Sequence, residues 1–138
     1  METTLGSSDV AALADISYRQ LDYLARLLHF TGGSGHRRRW TVDQLNRLAI
    51  ANLLAQAVPS PTSAFPAVAE MLLDRSDPPP PAGWAWLTGA PIDAGYLSSG
   101  VEALEQIAAA GGGVLIPYDL YELYGDRSDD LLVDLVPA

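Results

Sequence analysis

The sequence predicts an α+β chain whose two halves differ in charge. Three observations carry that reading. Apolar residues recur at i, i+3, i+4 and i+7 through residues 17–28 and 41–58, the period of amphipathic helices. Between them stands GGSGHRRRW (32–40), too glycine-rich for a helix and alternating like a strand. Beyond residue 82 the pattern becomes strand, helix, strand, as in a small α/β element. The charge is divided as well. Residues 1–57 hold six arginines and five acids, a net +1, while residues 58–138 hold two arginines and twelve acids, a net −10.

The bulk numbers set the frame. The 138 residues suit one globular unit or two small ones. About half are hydrophobic (49%) and 18% are charged, which argues against disorder and allows a core. With no cysteine, disulfides and thiolate metal sites are excluded. The N-terminal METTLGSSDV has neither the basic nor the apolar region of a signal peptide. No apolar run reaches the roughly 18–20 residues of a membrane span. The expectation is a cytoplasmic, nucleoid-associated protein with no membrane contact.

Residues 1–7 read as a frayed tail. SSDVAALADI (7–16) is predicted to be a short helix capped by Ser7 or Ser8, with Val10 and Leu13 inward and Ile16 packing at the next turn. SYRQLDYLARLL (17–28) is a second helix. Ser17 and Gln20 have capping-box spacing, and Leu21, Leu24, Ala25 and Leu28 form its core stripe. Its other face carries Arg19, Asp22, Tyr23 and Arg26. Residues 29–41 read as a hairpin with a Gly/Ser tip. On its second strand Arg37 and Arg39 share one face, and Arg38 and Trp40 the other.

TVDQLNRLAIANLLAQAV (41–58) is a long helix, with Thr41 and Gln44 as a second capping box. Val42, Leu45, Leu48, Ala49 and Leu53 make its stripe. Ile50 and Leu54 lie outside that stripe, so its second half needs cover from another element or another chain. PSPTSAFP (59–66) reads as a break, AVAEMLLDR (67–75) as a helix, and SDPPPPAG (76–83) as a stiff, extended linker or loop. GWAWLTG (83–89) is a strand. A helix over 98–113 starts at Ser99 and stops at glycines. VLIPYDLY (114–121) begins as a strand, and LLVDLV near the C-terminus offers another. The predicted division is 1–58, a linking helix and proline run over 59–82, and an acidic α/β region over 83–138.

Helix, tight turn, helix, glycine-tipped basic hairpin and longer helix is the order of a winged helix-turn-helix. ISYRQLDYLAR followed by GSGHRRRWTVDQLNRLAIANLLAQA resembles the DNA-binding domain of the MerR family of transcription regulators, over about residues 9–58. Leu24 stands where that family has tryptophan, and no glycine follows Arg26. Pro59, Pro61 and Pro66 interrupt the stretch where family members run a long dimerisation helix. The resemblance implies that the second helix enters the major groove of double-stranded DNA. Tyr18, Arg19 and Gln20 would then reach base edges, with Arg19 suited to guanine and Gln20 to adenine. Tyr23 and Arg26 would lie nearer the backbone, with Asp22 orienting Arg19 or Arg26 or accepting from cytosine. Arg37, Arg38 and Arg39 of the wing would meet phosphates or a minor groove. With Trp40 inward, Arg37 and Arg39 take the exposed face, and Arg38 reaches DNA around the edge or serves the fold.

Catalysis finds no motif: no Gly-x-Ser-x-Gly and no phosphate loop. His29 and His36 make no metal set, and no cofactor is implied. The chain is therefore expected to be a non-enzymatic, sequence-specific DNA-binding regulator, a repressor of phage or mobile-element type. Two alternatives stay open, an excisionase-like architectural factor and a protein-interaction module such as an antirepressor. The acidic half is expected to point away from DNA and to form a homodimer or hold a protein partner, ahead of sensing a ligand.

Overall fold

The computed structural model describes residues 4–27, 39–59, 61–89 and 92–125. In order they form β1 (Thr4–Gly6), α1 (Ser7–Ala14), α2 (Tyr18–Leu27), β2 (Arg39–Thr41), α3 (Val42–Gln56), α4 (Pro61–Leu73), β3 (Ala82–Gly89), β4 (Ile92–Leu97), α5 (Gly100–Ala109), β5 (Gly113–Asp119) and α6 (Leu120–Tyr124). The class is α+β. No helix among the described residues is long and apolar enough to cross a membrane.

Helix α3 is the hub. Its capping box forms as predicted: Gln44 N–H donates to Thr41 Oγ1 at 3.0 Å, and Thr41 N–H donates to Gln44 Oε1 at 2.9 Å. Ile50 and Leu54 are fully buried. Their cover is intramolecular, from α4 on one side and strands β3 and β5 on another. Three buried polar side chains on α3 each hold a different element. Asn52 Nδ2 donates to the Ala14 and Asp15 carbonyls at the end of α1, both at 3.3 Å. Asn46 Oδ1 accepts from Tyr124 Oη of α6 at 2.6 Å. Arg47, only 5% exposed, grips the end of α4.

The three-stranded sheet has the order β4-β3-β5, antiparallel throughout. Alternation gives it two apolar faces. Ala85, Leu87, Ala94 and Tyr96 face the main core with α3 and α4, while Trp84, Trp86, Leu97 and Leu115 meet Ala103 and Ile107 of α5. The result is helices, sheet, helix. Ser99 caps α5 by accepting from Glu102 N–H at 3.3 Å. Gly111 and Gly112 then end it at positive φ (86° and 132°), which disfavours any other residue.

Several expectations need correction. Residues 4–6 are not a frayed tail. They pair antiparallel with β2, and Leu5 is buried opposite Trp40. Three residues are too few to show a period, so only the partner strand reveals this one. The N-cap of α1 is Gly6, with no side-chain cap. Ser7 Oγ is used elsewhere, accepting from Trp40 Nε1 at 3.0 Å. Helix α4 begins at Pro61, not after Pro66. A proline at the first helical position loses no intrahelical bond, and Pro66 costs a single one that packing on α3 outweighs. Strand β4 was not foreseen, because Asp, Ala and Gly are weak strand formers; its pairing with β3 decides it. The first strand of the predicted hairpin, Leu28, and the LLVDLV segment lie outside the described residues.

The proline run 78–81 is bound to the body through its carbonyls, which proline keeps although it has no N–H. Tyr118 Oη donates to the Pro80 carbonyl at 2.9 Å, Leu120 N–H to that of Pro81 at 2.9 Å, and Tyr96 Oη to that of Asp77 at 2.6 Å. Burial raises the Tyr96 phenol from 10.0 to about 12; the Asp77 carboxylate adds to this, and the Arg47 and Arg75 guanidiniums oppose it. Burial pushes Tyr118 up as well. The folded state therefore prefers the neutral phenols. That stability is complete below the ordinary tyrosine range, near pH 10, and is lost as pH climbs through about 12. Urea midpoints should fall over that window. Tyr96→Phe should flatten the fall while costing about 1 kcal/mol at neutral pH, through the lost hydrogen bond. An unchanged slope would remove Tyr96 from this account.

Candidate nucleic-acid interface

The site is built on α2, and the turn before it sets its angle. Asp15 ends α1 in the left-handed region (φ 58°, ψ 45°), its N–H bonded to the Ala11 carbonyl. Ile16 N–H donates to the same carbonyl at 3.0 Å. Asn52 holds the turn from beneath, so three residues, 15–17, reverse the chain under restraint from both sides. Ser17 and Gln20 then form the predicted capping box. Ser17 N–H donates to Gln20 Oε1 at 2.9 Å, and Gln20 N–H donates to Ser17 Oγ at 3.1 Å.

Leu21, Leu24 and Ala25 are buried against the core, as their spacing requires. Stepping about 100° per residue, Tyr18, Asp22, Arg26, Arg19 and Tyr23 fall within an arc of about 140° on the other side. Tyr18 is 41% exposed and Tyr23 49%. Two half-exposed aromatic rings beside two guanidinium groups make a surface suited to planar, anionic partners. Arg26 Nη2 meets Asp22 Oδ2 at 3.2 Å, an i,i+4 pair open to solvent. Such pairs are worth under about 1 kcal/mol, so this one orients Arg26 more than it stabilises the helix. Arg19 is exposed and has no ion-pair partner among the described residues.

A search of protein-family models, curated proteins and solved structures finds no match.

The remaining site residues fall into three groups. Gln20 has the only carbonyl oxygen of its side chain on the Ser17 cap. A bidentate adenine contact needs that same oxygen, so in the free protein Gln20 is a capping residue. Arg39 is exposed but tied to β1: its Nη2 donates to the Thr4 carbonyl at 2.9 Å and its Nε to Thr4 Oγ1 at 3.2 Å. Its guanidinium fastens β1 to β2. Arg37 and Arg38 lie outside the described residues. Thus the structure brings Tyr18, Arg19, Tyr23 and Arg26 together on α2 and places Arg39 on the β1–β2 ribbon.

Sequence reasoning counted Arg47 among the cations of the basic half; the fold takes it out of that role. Its signal was available, since Asp43 precedes it by four residues on the same helix. Asn52 was missed. A polar side chain within an otherwise apolar helical run was its only trace. The acids Glu102 and Glu105 sit on α5, which packs on the sheet face turned away from α3 and α4.

Proposed function

We propose that this chain is a sequence-specific double-stranded DNA-binding regulator of transcription, a repressor, with α2 as the recognition helix of a winged helix-turn-helix. The observation that carries the reading is the exposed Tyr18–Arg19–Tyr23–Arg26 face, seated on a buried stripe and entered by a doubly restrained turn. Arg19, at the leading end, forks onto guanine O6 and N7. Tyr18 packs beside it on base edges. Arg26, aligned by Asp22, and Tyr23 take backbone phosphates. Arg37, Arg38 and the free edge of Arg39 supply the flanking phosphate contacts, and Gln20 keeps the helix start in register. The acidic α5 lies behind the sheet, where it repels DNA least.

The C-terminal half is proposed to hold a second copy or a regulatory protein. Val101 and Leu104 stand 69% and 56% exposed, one turn apart on α5. Side chains of that kind, left in water on one helix face, suit a protein contact.

The test is selection of a site from a random duplex library, followed by titration of the selected duplex. Arg19→Ala should weaken binding by about 1–3 kcal/mol and relax preference at one base position. Arg26→Ala should weaken all sequences alike and lower the salt slope by about 1. Repeated, bent sites beside a recombination point would favour the excisionase-like reading. Absence of any DNA complex at low salt would leave the protein-interaction reading.

A further inference from the structure

We infer that the cleft at one end of the sheet is a binding site for a neutral, apolar small molecule. The inference goes beyond the DNA reading and does not rest on it. The cleft has a volume of about 390 Å³ and opens where the end of α3, the first half of α4 and the ends of β3, β4 and β5 converge. Val58, Ala64, Ala67, Leu87, Ile92 and Val114 supply most of its wall. The space exists because α4 offers alanines here and because Gly89, on the same sheet face as Leu87, has no side chain. A β-carbon built at Gly89 meets no described residue within 4 Å.

The chemistry of the wall selects the ligand. Among the described residues lining the cleft none is ionisable, and the one hydroxyl among them, Thr88 Oγ1, donates to the Asp93 carbonyl at 3.3 Å. A charged ligand would lose its hydration with nothing in return. A dry apolar cavity of about 150 Å³ accepts benzene, so this larger cleft suits two linked rings or a medium alkyl chain.

A second copy of the chain fits less well. Ten described residues line the cleft, against about 20–30 a side in a standard protein interface, so a second copy would gain too little here.

The experiment is titration of the full chain with N-phenyl-1-naphthylamine, a neutral fluorophore of one phenyl and one naphthyl group, alongside Gly89→Leu and Ala67→Leu. Gly89→Leu enters open space, and Ala67→Leu fills the cleft from α4. Saturable one-to-one binding by the wild type, weakened about tenfold or more in each variant with circular dichroism unchanged, is the expected result. Thermal midpoints of the wild type should also rise with ligand. If one variant fails to fold, the other decides. No saturable binding, undiminished binding in the folded variants, or self-association abolished by the same substitutions would each overturn the inference. A protein that binds the fluorophore but no DNA would leave this site standing and the DNA reading fallen.

Discussion

Trp40→Ala is expected to destabilise the protein by about 3–5 kcal/mol, a large share of the 5–15 kcal/mol available to a domain. Trp40 is the largest of the fully buried side chains among the described residues. It sits on β2 opposite Leu5 of β1, and its indole N–H donates to Ser7 Oγ at the first position of α1. One side chain thus joins β2, β1 and α1. Truncation opens a cavity among them and leaves the Ser7 hydroxyl, itself buried, without this donor. Trp40→Phe separates the two terms, because it keeps most of the ring volume and loses the hydrogen bond, for about 1–2 kcal/mol. Urea unfolding of both variants measures the difference. A loss under about 1 kcal/mol for alanine would mean that β1 and β2 do not depend on this anchor.

Arg47→Met should cost about 3 kcal/mol. The Arg47 guanidinium donates from Nε to Asp43 Oδ2 at 2.8 Å, from Nη1 to the carbonyls of Leu72 (2.9 Å) and Arg75, and from Nη2 to that of Asp77 at 3.2 Å. It therefore collects carbonyls at and just past the C-terminal end of α4, where a helix leaves acceptors unpaired and its dipole favours a cation. Methionine keeps the stem and takes a donor from each of those oxygens, although that of Asp77 keeps Tyr96 Oη and that of Leu72 keeps the Arg75 N–H at 3.4 Å. Arg47→Lys should recover little, since one ammonium cannot fork over partners spread along 72–77. Because the Asp43 side chain is 40% exposed, water replaces much of its lost partner. If lysine restored wild-type stability, the fork geometry would be irrelevant and simple charge would suffice.

What was legible in the sequence was what local physics decides. The capping boxes at Ser17 and Thr41, the Ser99 cap and the glycine stop at 111–112 follow from side chains reaching orphan backbone groups within four residues, and all appear where the spacing put them. The buried stripes Leu21–Leu24–Ala25 and Leu45–Leu48–Ala49 follow from the helical period. The need for cover around Ile50 and Leu54 was also legible, though not which element would supply it. What stayed hidden depends on distant partners. The β1 strand is defined by β2, 35 residues on, through Thr4 and Arg39. The roles of Asn46, Arg47 and Asn52 exist only once α6, α4 and α1 arrive. The exposed face of α2 was readable as residues, but the use of Gln20 as a cap needed the turn geometry to separate it from base reading.

The most direct test of the central claim is the salt dependence of duplex binding by the wild type, Arg19→Ala and Arg26→Ala, measured by fluorescence anisotropy on the selected site and on a scrambled one. For the wild type log K should fall linearly with log salt, with a slope smaller by about 1 for Arg26→Ala. Arg19→Ala should narrow the gap between the selected and scrambled duplexes. Equal binding by all three proteins, or none by the wild type at low salt, would contradict the claim.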